Sequence, residues 1–213
     1  MGVQGFILQE NIKLFRERLA QARDDGERAW LEVMLSTAER EHALLEAERV
    51  GASARARPPL DDPEMAAVRD QLKADFRQTF YDVREYAVLL DPGPGLLVVD
   101  VNRTKSGVRG LGRDQIIGRP IFLTFPDNPT VARAEGVARM YAALRAVAQT
   151  GHPQTLEAVR HDVRRPGGHY APRYWRIVNS PLHDEGGRLV FLIQVFIDIT
   201  GGVRRAGRAA EGA

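Results

Sequence analysis

Apolar residues recur at helical spacing through the first fifty positions. Leu8, Ile12, Phe15 and Leu19 are four, three and four residues apart, a spacing that draws one stripe along an α-helix. Ile7 and Leu14 widen the stripe. The segment Asp24-Asp25-Gly26-Glu27 interrupts it, and Asp24 followed by Glu27 has the form of a capping box for a second helix. In that helix Leu31, Leu35, Ala38, His42 and Leu45 share a face, with Trp30 and Met34 beside it. Residues 1–50 are therefore predicted to form an antiparallel helical hairpin for dimerisation or interaction. Residues 51–63, rich in Ala, Arg and Pro, read as a linker, because Pro58-Pro59 cannot continue a helix. Asp62-Pro63-Glu64 starts a connector helix over 64–85, with Asp62 as N-cap. It carries Met65, Val68, Leu72, Phe76 and Phe80 on one side.

From Tyr86 the pattern shortens to strands and breaks. Leu89-Leu90, a Pro/Gly turn over Asp91–Gly95 and a strand over Leu96–Val101 come first, and Asn102 is placed to cap a short helix. A long helix is predicted over Val131–Gln149, stopped by Gly151 and Pro153. Three strands follow, over Gln154–Val163, Arg173–Leu182 and Arg188–Asp198, separated by glycine turns at 165–168 and 183–187. Two strands, helices and a three-strand meander make an α+β domain with one antiparallel sheet.

The last strand is apolar on both sides. Phe191, Ile193, Val195 and Ile197 alternate with Leu192, Gln194 and Phe196. A sheet with one wet face alternates apolar with polar, so both faces are expected to be covered. The second face would meet the N-terminal helices or a second copy of the chain. Ile193, Val195, Ile197, Trp175 and Ile177 are the expected residues of a homodimer interface. The alternative is intramolecular: the connector helix folds over its own sheet.

Composition narrows the function. The chain has 213 residues, no cysteine and a formal net charge of +2. Without cysteine there is no disulfide, thiolate nucleophile or thiolate metal site. No run approaches the ~18 apolar residues of a membrane span, and the first ten residues lack a signal-peptide pattern; a cytoplasmic location is expected. Arginines cluster at Arg164-Arg165 and Arg204-Arg205, but no aromatic residues interleave with them, so nucleic acid is not an expected partner. No Ser/His/Asp frame for a hydrolase appears, and the histidines lack metal-site spacing; neither a catalytic nor a metal site is expected.

Several segments together carry a family likeness. Asp100-Val101-Asn102 and the run Gly112-Arg113-Asp114-Gln115-Ile116-Ile117-Gly118-Arg119-Pro120-Ile121-Phe122 resemble the early part of PAS domains. Phe125-Pro126-Asp127-Asn128-Pro129, Arg164-Arg165-Pro166-Gly167-Gly168 and Arg173-Tyr174-Trp175 are similar to segments of bacterial PAS sensors. Asp198-Ile199-Thr200 matches the tripeptide that closes many of them. The resemblance spans about residues 86–200. It implies a PAS-like five-stranded antiparallel sheet cupping a ligand or an apolar core, and a non-enzymatic sensory role. It also implies that Asp198 and Thr200 couple the sheet to a terminal element.

The cavity candidates are Gln194, which interrupts an apolar face, with Arg176, Met140, Leu144 and Phe125. Asp162 and Arg176 are expected to pair. Haem-binding relatives use a histidine on the long helix, and flavin-adduct relatives need a cysteine; with neither here, no haem or flavin cofactor is expected and the small-molecule ligand is unspecified. Residues 201–213, Gly/Ala/Arg-rich without an apolar heptad, read as a flexible tail. The leading function is a homodimeric PAS sensor that binds a small ligand or an unidentified signalling partner and signals through helix packing. A ligand-free interaction adaptor and a haem or flavin redox sensor are the alternatives.

Overall fold

The computed structural model describes residues 3–54, 63–93, 95–102, 112–131, 133–165 and 167–211. The hairpin forms as expected from α1 (Val3–Gln21) and α2 (Asp25–Ala54). Asp24 accepts hydrogen bonds from the backbone N–H groups of Gly26 and Glu27, so its carboxylate starts α2. Leu8 on α1 and Leu31 and Ala38 on α2 are buried, and Phe15 meets Trp30 edge-on. α2 runs beyond the expected end at residue 50. Residues 55–62, with Pro58-Pro59 and the expected cap Asp62, lie outside the described residues.

The connector helix α3 (Pro63–Phe80) ends six residues before Tyr86. The reason is Asn102. Its side-chain NH2 donates to the carbonyls of Phe80 and Glu85, at 3.2 and 2.9 Å, and its oxygen accepts from the N–H of Ala87 at 2.9 Å. It therefore closes α3 and hands the chain to a strand; residues 103–111, where the helix it was expected to cap would begin, lie outside the described residues.

The sheet has five antiparallel strands, ordered β2-β1-β7-β6-β3. They are β1 (Tyr86–Leu90), β2 (Val98–Val101), β3 (Gln154–Arg160), β6 (Tyr174–His183) and β7 (Leu189–Asp198), with a small β4 (Val163–Arg164) and β5 (Tyr170–Ala171) hairpin beside them. β2 starts later than expected because Leu96 takes a left-handed backbone, φ 49°. Short helices α4 (Arg113–Ile116) and α5 (Ile121–Thr124) and the long α6 (Gly136–Thr150) cover one face. α6 begins five residues after the expected start and ends at Gly151, φ 69°, the left-handed glycine stop read from the sequence.

Residue pairing across β6 and β7 sorts the two faces. Trp175, Ile177 and Asn179 lie opposite Asp198, Phe196 and Gln194; these are inward. Arg176, Val178 and Ser180 lie opposite Ile197, Val195 and Ile193; these are outward. Two expected dimer residues, Trp175 and Ile177, thus belong to the inner core. Ile177 is fully buried among Val88, Leu144 and Leu192.

The outward face is covered by α3, the intramolecular alternative. Phe76, with Val68, Leu72 and Phe80, packs on Ala87, Leu89 and Phe191. Ion pairs Arg77–Asp100 (2.7 Å) and Arg69–Asp91 (3.0 Å) fasten the helix at two points. Ile193, Val195 and Ile197 are left half-buried. The hairpin packs elsewhere: α2 lies on α5 and α6, with Ala43 inserted into the main core. Residues 200–211 are not a loose tail but helix α7 (Thr200–Glu211), whose Ala and Arg content tolerates helix despite its glycines.

Candidate ligand cavity

The inner face of β7 and β6, the first residue of β1, α5 and α6 border a small, partly open apolar pocket. Tyr86, Phe122, Phe125, Trp175 and Phe196 supply aromatic walls, and Ile121, Met140 and Val163 fill between them. Its free volume is about 30 Å³, room for a water molecule or two. Tyr86 stacks edge-on against Phe125, and Trp175 against Phe196.

The polar groups of this region are unevenly served. Gln194 and Asn179 are both 0% exposed. Gln194 Nε2 donates to Asn179 Oδ1 at 2.9 Å, while Gln194 Oε1 and Asn179 Nδ2 have no partner. The Tyr86 hydroxyl is also buried without a partner. Burial pushes this phenol far up from its ordinary pKa, so it stays a neutral hydroxyl. An unmade hydrogen bond at a buried group costs roughly 1–3 kcal/mol, so three in one region are a large concession.

At the rim the opposite holds. Asp127 Oδ1 meets His161 Nδ1 at 3.1 Å, and its Oδ2 accepts from the N–H of Val137 in the first turn of α6. Gly136 is required here, since a Cβ would come within 2.7 Å of Asp127 Oδ1 and 2.9 Å of the Arg160 carbonyl. Asp162 accepts from Asn128 Nδ2 at 2.8 Å and from Arg160 at 3.0 Å. Burial pushes the Asp162 carboxyl up, but the hydrogen bonds from Arg160 and Asn128 outweigh it and hold it below the usual range. Trp175 Nε1 donates to the His161 carbonyl at 2.9 Å.

Gln194, Met140 and Phe125 line the cavity as expected. Leu144 is buried in the core behind it. Arg176 is not a cavity residue: it points outward, is exposed, and pairs with Glu157 at 2.8 Å instead of Asp162. Asp198 Oδ1 accepts from the N–H of Thr200, and Thr200 Oγ1 accepts from the N–H of Tyr174, each at 2.9 Å, where the chain leaves the sheet for α7. Sequence reasoning missed Asn179 and Tyr86. Asn179, which contacts the cavity residue Gln194, carried a signal, an amide among the apolar inward positions Trp175, Ile177 and Pro181; Tyr86 carried none. Among the described residues no three potential ligating side chains come together as a metal site.

A match to the family described as PAS fold spans residues 86–204. The chain belongs to that family. Similar solved structures include a light-oxygen-voltage domain studied with a flavin analogue, at 16% identity, covering 65% of this chain and 94% of that one, TM-score 0.46. The PAS domain of a protein from Colwellia psychrerythraea is similar at 17% identity, covering 61% of this chain and 98% of that one, TM-score 0.44. The Vibrio cholerae VqmA dimer, described among LuxR-type receptors, is similar at 20% identity and TM-score 0.43; 61% of this chain aligns with 52% of that one. No curated protein matches the chain. PAS-fold domains are sensory domains, and among the described residues no helix is long and apolar enough to cross a membrane.

Proposed function

We propose that the chain is a non-enzymatic PAS sensor whose inner-face cavity binds a small molecule. The carrying observation is the Gln194–Asn179 pair, fully buried with one donor and one acceptor unmade. A closed, purely structural core gains by replacing such groups with apolar ones; a binding site keeps them. A cavity of about 30 Å³ also speaks against a haem or a three-ring flavin in this packing. Ligand contact at His161 would reach α6 through Asp127, and α6 bears on α2 of the hairpin. Contact at Trp175 would reach α7 through the neighbouring Tyr174–Thr200 bond. The test is a thermal-shift screen of single-ring compounds on the wild type and on Asn179→Leu/Gln194→Leu. Hits that vanish in the double variant support the reading.

The second reading, a ligand-free adaptor, is favoured by the small volume of the same cavity. A screen without a single hit would support it. The homodimer is part of the proposal, with its surface moved to the hairpin, where Phe6, Ile7, Leu14 and Trp30 are exposed. Light scattering at tens of micromolar tests this: a full-length monomer contradicts it, and a dimer lost on deleting residues 1–60 supports it.

A further inference from the structure

The pairs Arg164-Arg165 and Arg204-Arg205 are far apart in the sequence, and the fold brings them to one end of the molecule. Arg164 ends β4 and lies opposite Tyr170 of β5. The Arg165 N–H bonds to the His169 carbonyl at 2.8 Å, and Gly167 and Gly168, φ 90° and 87°, close the turn. Just beyond Tyr170, the Pro172 carbonyl accepts from Arg204 of α7 at 3.4 Å. The Tyr174 N–H bonds to Thr200 Oγ1 at 2.9 Å and holds the first turn of α7 in place. One strand pairing and a short run of chain thus keep the Arg204 guanidinium within roughly 20 Å of the Arg164 backbone.

This end carries positive charge that the described residues do not neutralise. Arg160 is paired with Asp162, and Arg173 with Asp198. Arg164, Arg165, Arg204 and Arg205 are exposed and form no ion pair among the described residues. The net charge of the whole chain is only +2, so these arginines exceed it and the remainder is acidic on balance. Beside them opens a shallow surface depression of about 670 Å³, lined in part by Asn128, Thr130, Arg164, His169 and Tyr170. No carboxylate is among its described lining residues.

The chemistry of the patch selects among anionic partners. The large apolar side chains exposed on the described residues are Phe6, Ile7, Leu14, Trp30, Tyr81 and Leu123; none belongs to β4, β5 or α7. A protein partner needs an apolar or aromatic anchor at the centre of its interface. A helix lying on a membrane needs bulky apolar residues opposite its charges, and α7 offers only Val203 and alanines. A sugar-phosphate backbone needs neither, because phosphate contacts and counterion release supply its affinity. Guanidinium groups meet phosphate oxygens through paired N–H bonds. No aromatic residue interleaves with the arginines in sequence, but strand pairing sets Tyr170 beside Arg164, the ring-and-cation neighbourhood of single-strand sites.

We infer that the β4–β5 turn and α7 together form a docking surface for the phosphate backbone of single-stranded nucleic acid, bound without sequence readout. The experiment uses the full chain and a labelled oligothymidylate of about twelve nucleotides, within the span of single-strand sites, followed by fluorescence anisotropy across salt. With one phosphate contact for each of the four arginines, log affinity should fall against log salt with a slope of about −3, roughly fiftyfold between ~50 and ~200 mM. Arg164→Gln/Arg165→Gln and Arg204→Gln/Arg205→Gln should each cost about tenfold in affinity and halve that slope. Arg18→Gln/Arg23→Gln, at exposed arginines of the hairpin, changes net charge equally and should cost less than about twofold. An equal loss in the hairpin variant would reduce the effect to bulk charge and overturn the inference. So would no binding of the oligonucleotide at ~50 mM salt. Tighter binding of polyglutamate, or of phosphatidylserine vesicles, would assign the patch to a protein or a lipid surface and overturn it as well.

Discussion

The two faces of strand β7 are one residue apart in sequence and are built on opposite terms. Outward, Phe191 is buried under α3 beside Phe76, Leu89 and Ala87, and Arg69 sits 4.4 Å above its ring. The polar anchors of that face, Asp100, Asp91 and Asn102, each have a partner. Inward, Gln194 is as deeply buried as Phe191, yet half of its amide bonds to nothing. The outer face is thus a stability element, closed by dry packing and paired charges. The inner face keeps unmade hydrogen bonds that the outer face does not.

The contrast can be broken by substitution. The largest effect is expected from Phe76→Ala, about 3–5 kcal/mol in urea unfolding, because α3 would lose its central contact. A loss below ~1 kcal/mol would mean that the outer face is not the anchored one. Gly136→Ala comes next, at the well-satisfied rim of the inner face. Helix propensity alone would favour alanine by about 1 kcal/mol. The clash with Asp127 and the Arg160 carbonyl should reverse the sign, to a net loss of about 1–3 kcal/mol. A stabilised variant would show that the cap can move.

Asp162 sharpens the same rim through pH. Its folded pKa is below the ordinary 3.8, so its contribution is present above that value and is lost as pH falls through the folded one. Asp162→Asn should therefore be less stable than wild type at neutral pH, with the gap closing only as pH falls below the ordinary carboxylate value, through the lowered folded one. A gap independent of pH would remove the charge from the explanation. The smallest effect is expected at Ala158, exposed in the β3 bulge with φ 51°. Ala158→Gly should gain up to about 1 kcal/mol by relieving the left-handed strain, measurable as a small rise in midpoint.

The hydrophobic spacing made the elements legible, including the hairpin, the meander and the stop at Gly151. The faces of β6 were not legible. Side chains alternate, so a one-residue register change inverts every one of them, and β6 and β7 contain such a shift between Leu182 and His183. The shift is a backbone irregularity beside the 184–187 turn that no residue type announces. That is why Trp175, Ile177 and Arg176 were each assigned to the wrong side, while Gln194 and Met140 were not. The end of α3 was hidden for a different reason: the group that closes it, Asn102, lies 22 residues downstream of Phe80. Helix α7 was hidden because glycines dominate its first turn, and what holds that turn is Thr200 against Tyr174 on another strand.

The central claim is that the buried amides of Gln194 and Asn179 are kept for a ligand at the expense of the fold. The unfolding midpoint of Asn179→Leu/Gln194→Leu, measured without any added compound, tests it directly. The account predicts a midpoint equal to wild type or a few degrees higher, since two unmade hydrogen bonds are removed with little change in volume. A double variant destabilised by ~2 kcal/mol or more would show that the amide pair serves the core itself, and the claim would fail.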